Sequence, residues 1–148
     1  MWGVLGLGLG LSAGAALGMV GPEADLAFHG EVSLREGSVR VRFTPQNHGP
    51  SDLAGATVRL RWSTPLVGVE RLPEGCLRAG VSAVLCRTGA LDAGSAGSPV
   101  EVVVRVAGAP GEVGVRIDTA WDGGAVDHNP RNNRHAVLAL DTGDVYYF

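Results

Sequence analysis

Between Val100 and Val106 the chain alternates strictly: Val100, Val102, Val104 and Val106 fall on one side, Glu101, Val103 and Arg105 on the other. A period of two puts successive side chains on opposite faces of an extended strand, with the apolar row turned to a core. The same period recurs along the chain. Val39, Val41 and Phe43 oppose Arg40, Arg42 and Thr44, and Val58, Leu60 and Trp62 oppose Arg59 and Arg61. Val113, Val115 and Ile117 form another row, and Ala136, Leu138 and Leu140 share one face of a last strand from Arg134 to Asp141. Leu26 and Phe28 begin the first strand, which Val32 and Leu34 continue beyond a break expected at Gly30. Glu36-Gly37 and Ala109-Pro110-Gly111 read as turns, and Thr64-Pro65 stops the strand that carries Trp62, the expected core anchor. Seven or eight short strands, with no helical stretch after the N-terminal segment, predict an all-β, antiparallel sandwich.

Composition narrows the function more than it names it. A chain of 148 residues fits one domain, and 45% hydrophobic against 18% charged residues argues against disorder. The 23 glycines and 8 prolines suit many turns. All 12 basic residues are arginine, yet the net charge is −3 and the isoelectric point near 5.7, which gives no electrostatic footprint for nucleic acid.

Residues 1–21 carry no charged side chain and end in the small-residue series Ser12-Ala13-Gly14-Ala15-Ala16 before Gly18, the pattern of an export segment with cleavage sites after Ala15 or Gly18. Only the α-amino group supplies positive charge at the front. The segment therefore reads either as a cleaved signal peptide or as an uncleaved N-terminal anchor, the one route by which a membrane enters the reading. No cysteine near residue 20 would accept a lipid. In an exported chain two cysteines pair, so Cys76 and Cys86, with Gly80 between them, are expected to staple a hairpin. Neither a C-x-x-C spacing nor nearby histidines point to redox or metal use.

Two turn motifs bracket this pattern. Asn47-His48-Gly49-Pro50 lies at the end of the second strand, and Asp127-His128-Asn129-Pro130-Arg131-Asn132-Asn133 precedes the last. With Leu53 to Trp62, the cysteine pair, Gly89 to Ser95 and the valine strand between them, they resemble the bacterial extracellular immunoglobulin-like repeat domain of unknown function, related to the CARDB cell-adhesion-related domain. The resemblance covers roughly Ala24 to Asp141. It implies an immunoglobulin-like β-sandwich at 24–141, a cell-surface or secreted setting, and structural roles for Asn47, Gly49, Pro50, Asp127, Asn129, Pro130, Asn132 and Asn133.

The residues themselves support those roles. Asn caps its own turn, and Gly takes backbone shapes closed to other residues. The oxygen-rich second turn raises calcium as an alternative, with Asp122 or Asp118 as further donors from the preceding strand, but only Asp127 is charged within the turn, and Arg131 and Arg134 oppose a cation. No metal or cofactor is expected. Four histidines without ligand spacing, and no serine in a nucleophile setting, argue against an enzyme. Arg40, Arg42, Arg59 and Arg61 would form a patch for wall polymer only if their strands are neighbours; otherwise Glu101 and Glu112 neutralise them. The tail at 142–148 lies beyond the domain, and its Tyr146, Tyr147 and Phe148 either cover the domain's own apolar surface or add a strand to a partner. The expectation is a non-enzymatic, exported protein-interaction or structural module of the envelope, whose partner is an envelope or extracellular protein. The alternative is a carbohydrate or wall-polymer binder using the arginine faces and Trp121.

Overall fold

Alternation becomes strand nearly everywhere in the computed structural model, which describes residues 21–148. In chain order the strands are β1 (Glu23–Ala24), β2 (Leu26–Arg35), β3 (Ser38–Asn47), β4 (Thr57–Trp62), β5 (Leu66–Arg71), β6 (Cys76–Arg78) and β7 (Ala83–Arg87). After them come β8 (Ser95–Ala96), β9 (Val100–Val106), β10 (Glu112–Trp121), β11 (Val126–Asp127), β12 (His135–Leu140) and β13 (Val145–Tyr147), with one 3-10 turn at Pro130–Asn133. The expected export segment lies outside the described residues, save for Gly21. No helix among the described residues is long and apolar enough to cross a membrane.

Two antiparallel sheets make an immunoglobulin-like β-sandwich. One runs β12-β10-β4-β7-β6; the other runs β13-β2-β3-β9-β5, with β8 also paired to β3. They hold more strands than the seven or eight foreseen because β6, β8 and β13 are edge pieces of two or three residues, too short for periodicity to reveal. The inward rows are the predicted ones: Val39, Val41, Phe43, Val58, Leu60, Trp62, Val102, Val104, Val113, Val115 and Ile117 are all buried. Phe28 and Phe43 meet edge to face at 6.0 Å between ring centres, a favoured aromatic geometry.

Gly30 is not a break. β2 passes through it in unbroken register with β3, and a Cβ there would collide with the carbonyl oxygen of Arg42. The glycine permits close approach of two strands instead of ending one. The Glu36-Gly37 turn is a two-residue hairpin loop with φ of 51° and 78°, the left-handed pair that matches strand twist. Glycine adopts this freely, whereas Glu36 is held: its N–H donates to Asp141 Oδ1 at 2.8 Å and its carbonyl accepts from Arg105 Nη1 at 3.0 Å.

Cys76 and Cys86 face each other across β6 and β7 and are disulfide-bonded. Both are buried within the main core. Closing so short a loop contributes about 3 kcal/mol on the chain-entropy estimate. Such a bond is compatible with an extracellular compartment.

Candidate binding surfaces

Both turn motifs lie at one end of the sandwich, where β1 threads between them. Asn47 is fully buried; its Nδ2 donates to the carbonyls of Ser51 (2.8 Å) and Leu91 (3.0 Å), and its Oδ1 accepts the Gly49 N–H at 3.0 Å. Gly49 is required because a Cβ there would strike the backbone of Ala24 and Asp25 as β1 crosses it. On its other side β1 pairs in parallel with β11. Asp127 gathers the second turn: Oδ1 accepts from the Asn129 N–H (2.9 Å), and Oδ2 accepts from the Leu26 N–H (3.2 Å) and from Asn133 Nδ2 (2.6 Å). Asn132 Nδ2 donates to Asp25 Oδ1 at 2.8 Å. Pro130 opens the 3-10 turn that carries Asn132 and Asn133 into place. The carboxylate a calcium ion would need is thus turned to N–H donors. Together the turns enclose a small second cluster of Ala24, Leu26, Leu53, Ala56, Leu91 and Ala125.

The segment 142–148, read as lying beyond the sandwich, supplies an edge strand of it. Val145, Tyr146 and Tyr147 pair with Ser33, Val32 and Glu31, and Phe148 exchanges backbone hydrogen bonds of 3.0 Å with Gly30 in both directions. Tyr146 and Phe148 pack against the main core, and Phe148 lies 5.1 Å from the His135 ring. Of the three aromatic residues Tyr147 alone points outward, 78% exposed.

The four arginines fall on opposite outer surfaces, because β3 and β4 belong to different sheets. Glu101 bridges Arg40 (2.7 Å) and Arg71 (2.8 Å), and Asp118 holds Arg59 through two bonds of 2.8 and 2.9 Å and Arg61 at 3.1 Å. The hydrogen bond from Arg40 holds the Glu101 carboxyl below the usual carboxylate range, helped by the charges of Arg40, Arg71 and Arg42 and opposed by burial. Bonding to Glu101 and to Asp118 raises Arg40 and Arg59 in turn. A carboxylate lowered on folding contributes stability that is whole above its unfolded range and is lost as pH falls through its folded value. Glu101→Gln should therefore lower Tm near neutral pH by an amount worth under about 1 kcal/mol, as surface pairs allow, and the gap from the parent should close in acid. Thermal melts from about pH 7 down to about pH 3 check this.

Trp121, at the exit of β10 after a bulge, is 55% exposed beside a shallow polar depression of about 390 Å³ that Arg59, Asp118, Asp122 and Arg134 also line. Among the described residues no group of three or more His, Cys, Asp or Glu side chains is placed to hold a metal.

Sequence reading missed the surface at β12. Ala136, Leu138 and Leu140 do share a face, and it is the outer one: Leu138 is 53% and Leu140 41% exposed. The inward residues are His135, Val137 and Ala139, set opposite the buried Ile117, Val115 and Val113 of β10. Leu138 stands across from Gly114, and both line a shallow groove of about 590 Å³ that Arg61, Ser63 and Arg116 border. No local signal in the sequence marks it, because only the register with β10 sets which residues of β12 turn inward.

No family model matches this chain, and no curated protein sequence matches it. Among solved structures it is similar to β-glucosidase 3B from Thermotoga neapolitana, in complexes with α-D-glucose, with glycerol and with glucose. Identity is 14–15% and the TM-score 0.49, over 84% of this chain and 17% of that one. A likeness of that size, to a small part of a much longer enzyme, says nothing of activity here.

Proposed function

We propose that this protein is a non-enzymatic interaction module, exported to the cell envelope or beyond, that binds another protein through the edge strand β12. Membership in the extracellular immunoglobulin-like repeats, the relatives of CARDB, is part of the proposal; the sandwich and the two signature turns support it. The observation that carries the binding role is the contrast between β12 and the other sheet edges. β5 is bulged twice against β9 and carries Glu70 and Arg71, while β6 and β13 are three residues long. Bulges, charges and shortness are the devices that stop edges from pairing. β12 lacks them: it runs six residues, His-Ala-Val-Leu-Ala-Leu, in unshifted register with β10, and has no second strand beside it among the described residues.

The wall-polymer alternative loses its arginine patch, since Arg40 and Arg42 lie on one sheet and Arg59 and Arg61 on the other, with carboxylates beside them. Photo-crosslinking in the native host tests the choice. Benzoylphenylalanine in place of Leu138 should give one dominant protein adduct that survives high salt and disappears with Leu140→Lys. The same probe in place of Val67, which is also exposed but on the blunted β5 edge, should give none. Equal labelling at both positions overturns the assignment, and an adduct lost steeply with ionic strength favours a polyanion instead.

A further inference from the structure

We infer that the strand received by β12 is β12 of a second copy of this chain, paired antiparallel about a two-fold axis at Leu138. The inference rests on the reading of β12 as the binding edge and names its partner. The backbone sets the geometry. The Asp141 N–H donates to the Gly111 carbonyl at 2.9 Å, and Leu140 stands opposite Glu112. Odd-numbered residues of β12 therefore bond inward to β10, and the N–H and C=O groups of Ala136 and Leu138 point off the edge, as alternation in an antiparallel ladder requires. The Leu140 N–H joins them, while its carbonyl already accepts the Thr142 N–H at 2.8 Å. A copy turned about Leu138 matches these groups: the two Leu138 residues exchange both hydrogen bonds, and each Leu140 N–H meets the Ala136 carbonyl of the other copy.

The outer face is self-complementary in the same register. Across β10 and β12 its rows are Glu112–Leu140, Gly114–Leu138 and Arg116–Ala136. The two-fold continues the first row into the third, so that each runs from Glu112 across Leu140 and Ala136 to Arg116 of the other copy. Opposite charges thus close both ends of an apolar strip of leucine and alanine. Neither Glu112 nor Arg116 has an ion-pair partner among the described residues. A two-fold centred one residue earlier, at Val137, would set Arg116 in line with Gly114 of the other copy and leave the charge unanswered. A strand-to-strand contact is smaller than the roughly 1,200 Å² of standard complexes, so dissociation in the micromolar range is expected.

Sedimentation velocity on the protein purified from its host should show a mass rising with concentration toward twice that of the chain, and Leu138→Lys should remain monomeric, with the Tm that the parent has when diluted to monomer. Register is read with a short bismaleimide. The two 138 positions lie about 5.5 Å apart in an H-bonded pair, whereas the two 140 positions are separated by about 14 Å along the strands. Leu138→Cys should therefore crosslink at least ten times faster than Leu140→Cys. A parent protein that stays monomeric at high concentration, or equal crosslinking at 138 and 140, overturns the inference. In that event, a benzoylphenylalanine adduct at 138 with some other mass leaves the interaction module standing, and no adduct removes both.

Discussion

Asn47→Ala is expected to lower the unfolding free energy by about 3 to 5 kcal/mol, among the largest effects of any single substitution outside the hydrophobic core. The side chain is fully buried and makes three hydrogen bonds to backbone groups of Ser51, Leu91 and Gly49. Alanine leaves the Gly49 N–H and the Ser51 carbonyl without partners and the Leu91 carbonyl with only its bond from the Leu53 N–H, and each group so orphaned costs about 1–3 kcal/mol. The damage extends past the turn, because β1 is held against it. The His48 N–H donates to the Asp25 carbonyl and the Ser51 N–H to the Glu23 carbonyl, at 2.8 and 3.0 Å. Asn47→Asp does not rescue, since a carboxylate keeps the acceptor, loses both donors and adds a buried charge. His48→Ala, at the exposed position beside it, should change stability by less than about 0.5 kcal/mol. Denaturant melts of the three variants decide the matter: Asn47→Ala as mild as His48→Ala would mean that the turn is ornamental.

Strand rows in the middle of the chain were legible because their burial is one-sided and their period intact; Val102 and Val104, or Leu60 and Trp62, have one polar face to contrast with. Legibility failed where that contrast vanishes. In β12 both faces are apolar, so His135, Val137 and Ala139 look no more inward than Ala136, Leu138 and Leu140 until the register with β10 is known. At Gly30 a glycine inside a strand has two physical readings, a break or a close approach, and only the position of Arg42 decides between them. In the turn motifs, Asn and Gly at those offsets read as serving local backbone needs. Their shared purpose, to clasp β1, depends on contacts across more than a hundred residues, such as the Asp127 bond to the Leu26 N–H, that no local pattern encodes.

Deleting Tyr146 to Phe148 is expected to cost about 3 to 5 kcal/mol and to lower Tm by roughly 10 °C or more in a domain of this size. Two side chains and a run of ladder bonds are lost together. Tyr146 and Phe148 leave the main core, and the paired 3.0 Å bonds between Phe148 and Gly30 go with them. Two point variants separate packing from pairing. Phe148→Ala should reproduce a large part of the loss, since the ring packs at 5.1 Å against His135 in a tilted contact, whereas Tyr147→Ser, at a side chain that is 78% exposed, should be nearly silent. The deletion has a second consequence that a purely stabilising contact would not produce. It uncovers β2, a ten-residue strand that would then be an open edge of the second sheet, so the truncated protein should associate at temperatures well below its own melting point. Light scattering followed during the melt reads both effects. A deletion that leaves Tm and scattering unchanged would mean the segment is not cover for this domain and would return its aromatic residues to the role of partner contact.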